Sequence, residues 1–228
     1  MREVHQLARR RGPEELTDVL MALEGLPGAG KSTLRDRLLA DARTRGIPLD
    51  HTGQFSWLSL TATRTLVRLR AGTPADDPEE AAEAACRDLT LHARFNLTPA
   101  LARGPVIADR LSLSTACLLA LIHRRPVAEY VERLAQQERA RPQLTVLLTT
   151  EPGLCQARLA GRESAPRFTD RPEAAARLAD LYPQAATAWS RCTGLEVWQR
   201  PCTTKADLDQ LAADCLAHLN GSTRPSVT

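Results

Sequence analysis

The stretch MALEGLPGAGKST, Met21 to Thr33, constrains this chain most, because it sets an apolar run against a glycine-rich loop that ends in Gly-Lys-Ser. The pattern G-x-x-x-x-G-K-[ST] is met by Gly25, Gly30, Lys31 and Ser32. The segment that follows, STLRDRLLADARTRG, carries Leu34, Leu38 and Leu39 at helical spacing and reaches Gly46, where a helix would stop. Strand, loop and helix in this order are the context in which such a loop binds phosphate. Its glycines let backbone N–H groups turn inward, and the helix N-terminus adds positive potential, so a polyphosphate is solvated by fixed dipoles. Gly28, Ala29 and Thr33 complete the cradle. In this reading Lys31 reaches the β- and γ-phosphates of ATP and the Ser32 hydroxyl holds Mg²⁺. A glycine-rich turn that binds nothing is the plainer alternative, and the flanking strand and helix argue against it. Of the 30 basic side chains only Lys31 and Lys205 are lysine. In a chain that otherwise writes arginine, the loop position therefore suggests a need for a compact ammonium.

Around this loop the pattern is that of one α/β domain. The 228 residues, 43% of them apolar, suffice for a single core. Residues 18–220 are expected to form the domain, with 1–17 as an N-terminal extension and 221–228 as a disordered tail. Five strands are expected, around residues 18–24, IPLDH, GPVIADR, QLTVLLTT and LEVWQR. Helical segments lie between them, among them an alanine-rich helix from the Asp77-Pro78 cap to about Leu101 and a closing KADLDQLAADCLAHL. This alternation implies a parallel five-stranded sheet covered on both faces, a three-layer α/β/α arrangement. A net charge of +3, spread along the chain, does not indicate a nucleic-acid surface. The basic N-terminus lacks an apolar stretch behind it, which predicts neither signal peptide nor membrane anchor but a cytoplasmic protein. The six cysteines show no C-x-x-C spacing and read as buried thiols.

A second constellation follows the third strand. GPVIADRLSLST delivers Asp109 and Arg110 to the C-terminal edge of the sheet, where open α/β sheets bind ligands. Here the chain resembles the thymidylate kinase and deoxynucleoside kinase group of P-loop kinases. EGLPGAGKST is similar to that group's E-G-x-x-G-x-G-K-[ST], and PALARGPVIADRLSLSTA to its P-A-L-x-x-G-x-x-V-x-x-D-R-x-x-x-S-T. LTVLLTTEPGLCQARLAGRESAPRF resembles its fourth strand, turn and arginine-bearing lid. The resemblance implies a Mg²⁺- and ATP-dependent small-molecule kinase in which Asp109 orients the metal or takes a proton from the acceptor. It makes Arg110 a clamp on the acceptor or the transferring group. Arg158 and Arg162, four apart and so expected on one helical face, with Arg167 beyond, would close over the triphosphate. Residues Arg200 to Thr204 would form the adenine loop.

The acceptor side departs from the thymidylate kinase pattern. Pro27 stands where that group carries an acid against the acceptor's sugar, and Leu89, Leu118 and Leu119 stand near its base-reading arginine, tyrosine and glutamine. Arg87 or Arg94 are substitutes out of register. Deoxynucleoside kinases place a glutamate after the second strand; in LDHTGQFSW, Asp50 or His51 would serve as general base, with Phe55 or Trp57 stacking on a ring. The acceptor is expected to be a nucleoside or nucleotide. The rivals are a kinase for a hydroxyl of an antibiotic or other specialised metabolite, and a regulatory nucleotide-binding ATPase. Neither a membrane nor a nucleic acid polymer is an expected partner, and the extension leaves room for a homodimer.

Overall fold

The computed structural model describes residues 19–163 and 165–219. The expected N-terminal extension and C-terminal tail lie outside the described residues. Strand β1 (Leu20–Gly25) is buried along its whole length, Glu24 included. It runs between β3 (Val106–Asp109) and β4 (Leu144–Leu148), with β2 (Asp50–Thr52) and β5 (Val197–Arg200) at the edges. The order is β2-β3-β1-β4-β5 and every pairing is parallel. The three central strands are apolar because helices cover both their faces, as a parallel sheet requires. The edge strands are only partly buried.

Helix α1 (Lys31–Thr44) follows β1 and packs against α9 (Lys205–Leu219). Helix α2 (Leu60–Arg70) begins at Ser59, whose hydroxyl accepts the Ala62 N–H. It is shorter than its sequence pattern suggested, because residues 53–58 run as irregular chain. Helix α3 (Pro78–His92) starts as expected, with the Asp77 carboxylate accepting the Glu79 N–H at 2.9 Å and proline in the first turn. It continues through a π-helical turn (Ala93–Leu97) into α4 (Thr98–Leu101). After β3, α5 (Ser112–His123) is buried almost throughout, and α6 (Val127–Ala135) and α8 (Pro172–Thr193) pack against it. Helix α7 (Pro152–Ala160) follows β4.

Because β1 has β3 on one side and β4 on the other, the loop leaving it opens at the point where the strand order reverses. Such a crevice lies at the carboxyl ends of the strands. Loop 26–30, the end of β3 and the last turn of α7 converge there.

Candidate functional site

The expected phosphate loop faces a cavity of about 490 Å³. Gly28, Gly30, Lys31, Ser32 and Thr33 line it, together with Asp109, Arg110, Arg158 and Arg162. Gly25 and Ala29 support it from behind: Gly25 ends β1, and the Ala29 carbonyl accepts the Thr150 hydroxyl at 2.9 Å. At Gly28, φ is +82° and a Cβ would stand 2.4 Å from the Cys155 carbonyl oxygen, so only glycine fits where the loop crosses α7. The N-cap Gly30 offers no side chain to the first turn of α1, so the amides of Lys31, Ser32 and Thr33 have no side-chain acceptor. Those amides and the large cavity suit a nucleoside triphosphate. The Ser32 hydroxyl and Asp109 carboxylate in the same lining are hard oxygen donors that suit Mg²⁺.

Lys31 is 6% exposed and its Nζ donates to the carbonyls of Gly25 at 3.0 Å and Leu26 at 2.6 Å. Burial, reinforced by the Arg110 charge, drives its pKa well below that of an ordinary lysine, although Asp109 and Glu24 pull the other way. Asp109 meets Arg35, a residue the sequence did not single out, at 2.8 Å. Arg110, with φ at +72°, donates from Nη1 to the Gly25 carbonyl, the Ser114 hydroxyl and the Tyr182 hydroxyl, at 2.9, 2.9 and 2.8 Å. Beneath it lies Glu24. Its carboxylate accepts the N–H groups of Leu111, Leu113 and Ser114 and the Ser114 hydroxyl, so β1 caps the first turn of α5. Burial raises the Glu24 pKa, against the Ser114 bond and the Arg110 charge.

Arg158 donates to the carbonyls of Cys202 and Thr203 at 3.0–3.1 Å, which fastens α7 to the loop after β5. Cys202, Thr203 and Thr204 line the cavity, where the adenine loop was expected. Arg162 also lines it, but α7 ends at Ala160, so Arg158 and Arg162 do not share one helical face as their spacing implied.

A second, smaller cavity of about 60 Å³ adjoins the first through Pro27 and Arg110, which line both. Its other lining groups include Gln54, Arg70, Ser114, Arg167, Asp170 and Tyr182. Arg167 arrives on a short turn, Phe168–Asp170, whose Asp170 carboxylate accepts the Arg167 N–H at 2.9 Å. Phe168 rests on Gly72, where φ is +85° and a Cβ would come within 2.4 Å of the ring. This turn is thus seated against the end of α2. Arg70 lies opposite; burial, then the guanidiniums of Arg167 and Arg110, hold its pKa below the usual arginine value.

Four expected acceptor-side residues are placed elsewhere. Asp50 pairs in register with Val106 at the start of β3, whereas Asp109 ends that strand, a separation of roughly 10 Å along the sheet. Its carboxylate is bonded to Arg103 at 2.6 Å, which holds its pKa below the usual range, so it is a poor general base. Arg94 is exposed on the π-turn with its guanidinium over Phe95, away from both cavities. Phe55 is 7% exposed and belongs to the core, and Trp57 is exposed outside the linings. The sequence reading missed Glu24, Gln54, Arg70, Ser114 and Tyr182. A carboxylate inside a buried strand was the available sign for Glu24; nothing local marked Arg70 among so many arginines.

The thymidylate kinase family model matches residues 23–185. Among curated proteins, a thymidylate kinase of Xanthomonas euvesicatoria pv. vesicatoria is 36% identical over 153 residues, covering 65% of this chain and 63% of that protein. One of Xylella fastidiosa is 30% identical over 169 residues, covering 72% and 73%. A probable thymidylate kinase of the archaeon Archaeoglobus fulgidus is 28% identical over 150 residues, covering 63% and 70%.

Proposed function

The chain belongs to the thymidylate kinase family, and we propose that it is an ATP-dependent kinase that transfers a phosphoryl group to the phosphate of a nucleoside monophosphate. The observation that carries the choice of a phosphate acceptor is the convergence of Arg70, Arg110 and Arg167 on the smaller cavity, which meets the donor cavity at Pro27 and Arg110. Transfer to an existing phosphate needs cationic clamping, and guanidiniums match phosphate geometry. Transfer to a hydroxyl needs a base, and Asp50 is tied to Arg103 at the far end of its strand.

In this reading the loop amides and Lys31 hold the triphosphate, and Arg158 and Arg162 add positive charge from the lid side. Lys31 exchanges its two loop carbonyls for phosphate oxygens. Ser32 and Asp109 would hold magnesium, which when bound neutralises charge on the β- and γ-oxygens. Arg110 stands at the junction of the cavities and orients the acceptor phosphate in line. Arg162 in the lining of the larger cavity and Arg167 in that of the smaller would exclude water that would otherwise take the phosphoryl group. With Pro27 in place of an acid and leucines at 89, 118 and 119, a monophosphate acceptor, dTMP included, would be read at its sugar and base by other groups than in the thymidylate kinase pattern.

The test is a screen for ADP release over nucleoside monophosphates, nucleosides and hydroxylated natural products. A monophosphate that stimulates release supports the assignment, and stimulation by a nucleoside alone refutes it. Lys31→Ala is expected to abolish turnover, and near-normal activity in that variant contradicts the placement of ATP.

A further inference from the structure

Trp57 has φ at +58°, one of three non-glycine residues with positive φ among those described. A bulky side chain rarely enters this region, so the surroundings must hold it there. Asp88 of α3, 1% exposed, does so. Its Oδ2 accepts the Ser56 N–H at 2.9 Å, and its Oδ1 accepts the Ser56 hydroxyl at 2.6 Å and the Trp57 N–H at 3.1 Å. Phe55 meets the indole edge-on, with ring centroids 5.1 Å apart. Fixed in this way, Trp57 stays 42% exposed, whereas Trp189 and Trp198 are buried. Its ring carries the Arg70 guanidinium, with Cζ 5.5 Å from the centroid.

Arg70 lines the smaller cavity. Among the described residues it has no carboxylate partner, and the charges that most affect it are the like charges of Arg167 and Arg110. A cation backed by an indole face and set beside two other cations is arranged for an anion from outside.

We propose that Trp57 is a positioning residue for acceptor binding, its constrained backbone presenting the indole face that steers Arg70 onto the acceptor's phosphate. The inference rests on the reading of the acceptor as a phosphate ester. It also makes Trp57 a reporter, because an anion that draws Arg70 forward changes what stacks on the exposed indole.

The full chain and the variants W57F, W57G, R70Q and W57G/R70Q are titrated with dTMP and, separately, with inorganic phosphate. Tryptophan emission and calorimetry follow binding, and ATP affinity and Tm are measured for each protein. Both probes should change wild-type emission. W57F should lose that change but keep calorimetric affinity within about threefold, because a ring face remains. W57G should bind dTMP about 3- to 10-fold more weakly, with unchanged ATP affinity. Its Tm should stay near wild type, since glycine adopts this φ freely. R70Q should weaken dTMP at least as much, and W57G should add nothing in that background. The inference is overturned if W57G weakens ATP and dTMP alike, if its effect adds fully to that of R70Q, or if neither probe moves the emission. Failure of the functional reading looks different: no nucleoside monophosphate stimulates ADP release, even where phosphate binding still depends on Trp57 and Arg70.

Discussion

Replacing Glu24 by glutamine changes one atom pair in the middle of the sheet, and its cost follows from counting donors. Oε1 accepts the N–H groups of Leu111 and Leu113 at 2.9 and 3.1 Å; Oε2 accepts the Ser114 N–H at 3.0 Å and the Ser114 hydroxyl. Glutamine keeps one acceptor oxygen, so its amide nitrogen must face one of these donor pairs. If it turns toward Ser114, the hydroxyl can rotate to accept, but the Ser114 N–H is left buried without a partner. If it turns the other way, two N–H groups are orphaned. Each orphaned donor costs about 1–3 kcal/mol, giving roughly 2–5 kcal/mol once the charge assistance lost at the surviving bonds is included. For a domain of this size that lowers Tm by roughly 5–15 °C. Scanning calorimetry on Glu24→Gln measures the shift. A Tm within about 2 °C of wild type, below what one orphaned donor costs, would show that the carboxylate does not hold α5 in the way described.

Gly72→Ala puts a Cβ into the Phe168 ring at a backbone angle of +85°, so the lid turn should lift and the acceptor KM rise several-fold more than the ATP KM; equal effects on both in steady-state assays would count against the seating of Phe168. Asp50→Asn should leave turnover near wild type while Arg110→Ala removes most of it, and a large loss in the first variant would return Asp50 to the reaction. Burial lowers the pKa of His92, against the Asp88 charge and the Gly53 carbonyl, so the neutral ring contributes stability above an ordinary histidine pKa of 6.5 that is lost as pH falls through the folded value. Wild-type Tm should therefore drop more than that of His92→Gln between about pH 8 and pH 5.5, and parallel curves would refute the contribution.

The sheet and donor loop were legible because each rests on local signals: β4 is a continuous apolar run, and the Gly25 to Ser32 spacing is set by one turn. The limits of α2 were less so, since Phe55, Trp57 and Leu58 keep an apolar rhythm through a stretch whose backbone is directed by Asp88, 32 residues further on from Ser56. Asp50 looked like a base because its neighbours in sequence suggested one. Register against Val106, a tertiary fact, sets it at the wrong level. Arg70, Ser114 and Tyr182 come from three separate helices and meet only in the folded chain.

The Glu24 anchor also bears on how this architecture diversifies. It welds β1 to α5, and Arg158 welds α7 to the loop after β5, so a change at either bond disturbs the frame of the larger cavity. Arg70 and the loop before α2 stand outside those welds. On the proposed reading, substitutions at these positions would retune which molecule receives the phosphoryl group and leave untouched how it is given.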